Sequence, residues 1–151
     1  PIVAERAMWW PGPSANTWSE AHNSPGATET STRWVVADGS VQDNPARTDT
    51  YYLIANPTDT PASVRVALLY ADGTPSTSQT LDVPAQSRFS VDVRSTFPDA
   101  IGRGFGAIVE SLGTGAPAIV VEWSIYNDAL GRTWVGGANA LGTPVPDGVN
   151  E

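Results

Sequence analysis

Apolar and polar residues alternate with a period of two through most of the chain, which is the pattern of strands buried on one face. ASVRVALLYADG sets Val64, Val66, Leu68 and Tyr70 against Arg65 and Ala67, and it stops at the turn pair Asp72–Gly73. SRFSVDVRS sets Phe89, Val91 and Val93 against Arg88, Ser90, Asp92 and Arg94. TYYLIANP reads as a strand closed by Asn56–Pro57, because a residue before proline is pushed out of the helical region. TRWVVADGS and TSQTLDVPA add two shorter strands, the second stopped by Pro84. One helical turn is expected around Pro98–Ile101 and nowhere else. Short strands at this spacing with turn signals between them predict an all-β, antiparallel β-sandwich.

FGAIVESLGTGAPAIVVEWSI reads as a hairpin turning at GTGAP. With Val109 opposite Val121, the apolar set Phe105, Ala107, Val109, Ile119, Val121, Trp123 and Ile125 shares one face. A slip of one residue would expose Trp123. Glu110 and Glu122 then share the wetter face. The segment Pro11–Thr32 differs from the rest, being polar, rich in turn residues and long for a connection inside a compact domain.

The two ends of the chain repeat one another. Ile2, Val3 and Glu5 match Ile119, Val120 and Glu122, and Met8 and Trp9 stand where Ile125 and Tyr126 do. With one residue dropped, Thr17, Trp18, Asn23 and Gly26 match Thr133, Trp134, Asn139 and Gly142. This ordered set, at an offset of about 116 residues, implies a tandem array cut out of phase. Residues 1–10 are then the last strand of a preceding repeat, and 11–32 a long Trp-containing loop or inter-repeat connection. Residues 33–126 form the sandwich core, and 127–151 the start of the next repeat's loop with a C-terminal tail. A strand at Ile2–Trp9 parted from its hairpin partner would either cover an edge of its own sandwich or pair between molecules, the second giving a dimer through this orphan strand.

Taken as a set, PIVAERAMWW, WVVADGS, TYYLIANPTDTPASVRVALLYADG, VPAQSRFSVDV and GFGAIVES resemble an uncharacterised tandem-repeat family in large secreted and surface proteins of bacteria. The resemblance implies an immunoglobulin-like or fibronectin-III-like sandwich, an extracellular or cell-surface setting, and neighbouring repeats of the parent chain as partners. It carries over no catalytic residues.

Composition narrows the choices. With 151 residues the chain has one domain's length, and 14 glycines and 13 prolines argue against long helices. A net charge of −8 disfavours nucleic acid and anionic membrane as partners. No apolar run reaches a membrane span, so direct membrane insertion is not expected. The absence of cysteine removes disulfides and thiolate metal sites. All eight basic residues are arginine, which reads as the codon usage of a GC-rich genome. The chain opens on Pro1 with no signal-peptide pattern, so a fragment of a longer protein is expected, with any signal peptide outside it.

Candidate chemistry is sparse. With one histidine and no Gly-x-Ser-x-Gly elbow, nucleophilic catalysis lacks its parts. GRGFG has neither a following helix nor a phosphate-binding lysine. Glu110 and Glu122 could form a hydrolase's carboxylate pair, or simply be solvated strand residues. Asp38, Asp43, Asp49, Asp59 and Asp72 could offer oxygen ligands, but no stretch spells a calcium loop.

The six tryptophans are the unusual feature, since indoles stack on sugars and anchor protein partners. Trp9, Trp10, Trp18, His22 and Trp34 are the candidate ligand-binding residues. Trp10 stands out because its repeat counterpart is Asn127, and His22 because its counterpart is Ala138. The expected function is a non-catalytic structural or adhesive module that spaces or presents other domains and needs no cofactor. The alternative is a carbohydrate-binding module with exposed tryptophans. Polysaccharide and surface protein are the candidate outside partners.

Overall fold

A computed structural model describes residues 2–11, 18–129 and 132–146. The strands are β1 (Glu5–Pro11), β2 (Trp18–Pro25), β3 (Arg33–Val36), β4 (Ser40–Val41), β5 (Thr48–Asn56), β6 (Ala62–Tyr70), β7 (Thr77–Val83) and β8 (Ser87–Asp92). After a single turn α1 (Val93–Thr96) and a 3-10 turn at Pro98–Ala100 come β9 (Arg103–Ser111), β10 (Val120–Ala129), β11 (Arg132–Leu141) and β12 (Thr143–Pro144). Asp92 starts α1 by accepting the Arg94 amide at 3.1 Å, which satisfies one of the helix's free N–H groups.

Two antiparallel sheets face each other, one in the order β11-β10-β5-β8 and the other β12-β3-β9-β6-β7, with β4 paired to β9. Trp34, Tyr52, Ile54, Val64, Val66, Leu68, Val91, Phe105, Val109, Ile119 and Val121 close the space between them. Each such side chain contributes about 1.5–3 kcal/mol by leaving water. The alternation in β6 is clean, with Val64, Val66, Leu68 and Tyr70 buried and Ser63, Arg65 and Leu69 exposed. The all-β antiparallel sandwich therefore stands as the sequence pattern predicts.

The connections differ from that prediction. β9 and β10 do not pair as a hairpin: β9 lies between β3 and β6 in one sheet, and β10 lies between β11 and β5 in the other. GTGAP is a crossover between sheets, with Gly113 and Gly115 at φ of 105° and 68°, where only glycine is at ease. Both strands bury the same parity into one core, and alternation alone cannot separate a hairpin from an arch. Glu110 and Glu122 consequently sit on opposite outer faces. Glu110 lies between Arg33, at 3.3 Å, and Arg65, while Glu122 points the other way.

The segment expected as a loop contains β2, which pairs with β1 from Glu5↔Pro25 to Trp10↔Glu20. The N-terminal strand is thus not an orphan, because its partner lies in the same chain. Residues beyond 126 are also part of the sandwich: β11 pairs along β10, and β12 pairs with β3. β2 and β11 escaped notice because WSEAHNSP and RTWVGGANAL carry few aliphatic residues to mark a buried face.

Candidate functional site

The internal repeat is a duplicated hairpin. Ala7↔Asn23, Met8↔His22 and Trp9↔Ala21 in the first copy correspond to Ser124↔Asn139, Ile125↔Ala138 and Tyr126↔Gly137 in the second. Both ladders shift register at the same place, after Trp10 and after Asn127. The Gly26 amide donates to Ala4 O at 2.8 Å, and the Gly142 amide to Val121 O at 2.8 Å. Asn23 donates to Glu5 at 2.5 Å, as Asn139 does to Glu122 at 2.7 Å.

The two copies play different parts. Hairpin β10–β11 completes a sheet, turning Val121 and Trp123 to the core and Glu122, Ser124 and Tyr126 outward. Hairpin β1–β2 forms a third layer on that outward face. It docks with Arg6, Met8, Trp10, His22 and Ser24, the parity that its counterpart turns to the core. Where that counterpart has Trp123, Ala138 and Ala140, the docking copy has Arg6, His22 and Ser24, so its face suits a polar seam rather than a hydrophobic interior.

At one end of the seam Glu122 accepts from Arg6 at 2.5 Å, Asn139 at 2.7 Å and Ser24 at 3.2 Å. At the other end Tyr126 is the centre of an aromatic cluster. Trp134 stacks on it with centroids 4.8 Å apart, and Trp10 meets it edge-on at 5.7 Å. Tyr51 approaches at 6.0 Å. His22 Nε2 lies 3.1 Å from the Tyr126 hydroxyl, and that hydroxyl also points at the Met8 sulfur at 3.9 Å. Trp10 Nε1 donates to the Trp134 carbonyl.

Gly137 makes room for these rings: a Cβ there would lie 2.7 Å from the Tyr126 ring and 3.1 Å from Trp10. Trp134 holds φ at 54°, uncommon for a non-glycine residue, and its amide donates to Asp128 at 2.8 Å. Burial, and after it the Arg6 charge, hold the His22 pKa below its usual value against the opposing pull of Glu122, Asn139 and Glu20. Burial raises the Tyr51 pKa, with Asp92 and Asp49 adding to it.

The five candidate residues separate. Trp10 and His22 meet in the seam. Trp34 is 2% exposed in the sandwich core, its indole donating to Ser31 O and Ile119 O, so it is a core residue rather than a contact for ligands. Trp9 is 54% exposed on the far side of β1, since neighbouring residues on a strand face opposite ways. Trp18 opens β2, and its side chain lies outside the described residues, as does Thr17. Arg6, Tyr126, Trp134 and Gly137 were not singled out as candidates, although the repeat had already flagged Tyr126 and Trp134; Glu122 was weighed only as a partner of Glu110, which lies on the opposite outer face.

Three of the five candidate aspartates are bound to arginines. Asp49, on the outer face beside Tyr126, binds Arg94 and, at 2.7 Å, Arg47. Asp43 takes Arg94 at 2.7 Å, and Asp72 takes Arg103 at 2.6 Å. Among the described residues no three His, Asp or Glu side chains gather as metal ligands do.

No family model and no curated protein matches the chain. Among solved structures it is similar to Thermotoga maritima 1070, at 12% identity and a TM-score of 0.63, over 78% of this chain and 97% of that one. It is also similar to the Anabaena sensory rhodopsin transducer, at 23% identity and a TM-score of 0.51, over 65% of this chain and 91% of that one. At these identities the likeness is one of fold alone.

Proposed function

We propose that the protein is a non-catalytic structural or adhesive module of a secreted or cell-surface bacterial protein, one that spaces or presents neighbouring domains. The observation that carries this reading is the duplicated hairpin, two copies with matching internal registers, one docked on the face of the other. A hairpin that recognises the outer face of a sandwich sheet is a ready means of joining one unit to the next. The ionisable groups fit the same reading, because Glu122, Asp49, Asp43 and Asp72 are committed to arginines that tie strands and layers together.

An immunoglobulin/fibronectin-III-like plan belongs to this proposal. Lettering β3 and β5 to β10 as A to G, with β4, β11 and β12 left out, the adjacencies β5–β8 and β6–β9 correspond to the B–E and C–F pairs of such a plan. β3 lies beside β9, β10 beside β5 and β7 beside β6, so the first, fourth and seventh lettered strands depart from the ABED/CFG order.

The exposed Trp9 favours carbohydrate binding as a second reading. It is weakened by Trp9 and Trp10 facing opposite ways, which leaves them no common platform. Tryptophan emission during titration with a panel of polysaccharides, with and without calcium, separates the two. The scaffold reading expects a flat response throughout. A saturable shift that disappears in Trp9→Ala would replace it with the carbohydrate-binding reading.

A further inference from the structure

A cleft of about 280 Å³ opens where the foot of the β1–β2 hairpin overhangs the outer face of the sheet. Its floor is Leu53 and Ala55 of β5, Val120 of β10 and Leu141 of β11. These four sit on the side of the sheet turned away from the sandwich core, where a solvated sheet carries polar residues. Such an apolar floor beside a charged wall is the usual composition of a small-molecule site, and this volume, just under the range of drug-sized pockets, suits a small ligand.

The wall is formed by Arg88, next to Ala55 on the adjoining strand β8. Arg6, Arg33, Arg47, Arg65, Arg94 and Arg103 each pair with a carboxylate. Arg88 instead donates to the Ser90 hydroxyl at 3.3 Å, with no carboxylate in salt-bridge range among the described residues. Across the cleft the Glu122 carboxylate is already answered by three donors. Glu5 at the rim accepts from Asn23. Its remaining negative charge, with the chain's net −8, sets a bias against polyanions.

We propose that this cleft binds a small monocarboxylate with a short apolar body. The carboxylate lies against the Arg88 guanidinium, whose planar fork matches it in two hydrogen bonds. The hydrocarbon covers Leu53, Ala55, Val120 and Leu141. This site adjoins the charged end of the hairpin seam, sharing Arg6, Ser24 and Glu122 with it, and does not depend on the module reading above.

The test is an NMR titration of the whole chain with hexanoate, hexanol and hexylammonium, each alone. Hexanoate is expected to saturate with a dissociation constant on the order of millimolar, moving the signals of Leu53, Ala55 and Arg88. Arg88→Gln, at an exposed position, is expected to weaken it about tenfold or more, the worth of a charge-assisted pair. Ala55→Phe, which fills the floor, is expected to abolish it. Hexanol binding as tightly as hexanoate would overturn the proposal, as would hexanoate binding that Arg88→Gln leaves unchanged. No saturable shift at these residues with hexanoate would overturn it equally.

Discussion

Arg6 on β1 and Glu122 on β10 stand 2.5 Å apart, joining a hairpin to the hairpin it copies. Their side chains are 34% and 18% exposed, between a surface pair and a buried one. A double-mutant cycle of Arg6→Met and Glu122→Gln should give a coupling of about 1–2 kcal/mol in urea unfolding, between the values for those two classes. Glu122→Ala should cost more than Glu122→Gln, because it leaves Arg6, Ser24 and Asn139 with no acceptor. Additive single mutants would show that the pair contributes nothing to docking.

His22 makes the seam sensitive to pH. It is faced by Arg6 on β1, Glu20 on β2, Glu122 and Tyr126 on β10 and Asn139 on β11. Its folded pKa is depressed, so the folded state prefers the neutral ring. That contribution is whole above the unfolded value of 6.5 and is lost as pH falls through it towards the lower folded value. The urea midpoint should drop between about pH 7.5 and about pH 5.5, and drop less in His22→Gln. Equal drops in the two proteins would remove His22 from this role.

Gly137 tests the packing of the rings. Gly137→Ala puts a carbon 2.7 Å from Tyr126 and 3.1 Å from Trp10, which overpacks the seam by about 1–3 kcal/mol. Tryptophan emission should shift to the red and amide exchange quicken in β1 and β2. Exchange in β6 and β9, at the centre of the other sheet, should stay as it was.

Asn56 is 1% exposed and joins two loops to β5. It donates to Thr60 O at 2.8 Å and Pro84 O at 3.1 Å, and accepts from the Thr58 amide at 3.1 Å and its hydroxyl at 2.7 Å. Asn56→Ala should cost about 1–3 kcal/mol in thermal or urea unfolding, because these part-buried groups and the buried Val83 carbonyl lose their partner. A change within experimental error would mean that water replaces the amide.

Much of the sandwich was legible in the chain, and little of the seam. Val64, Val66 and Leu68 declare β6 because their alternation reflects one-sided burial in water. β2 has no such signal, since it docks through His22 and Ser24 and through hydrogen bonds to another strand. β11 runs through Gly136 and Gly137, and a Cβ at Gly137 would strike two rings from elsewhere in the chain. The repeat was visible as Trp18 matching Trp134 and Asn23 matching Asn139, but not as one hairpin stacked upon another.

Alternation, turn residues and the internal repeat by themselves determined β1, β3 and the strands from β5 to β10, the parity of most of their buried faces and the existence of two related segments. These depend on neighbours in sequence and on exclusion of apolar surface from water, which act the same wherever a strand ends up. Tertiary structure alone decided that β9 and β10 lie in different sheets, that Glu110 and Glu122 face opposite ways, and that Arg6 finds Glu122. Such pairings join residues distant along the chain, and their free energy exists only once both surfaces have formed and met.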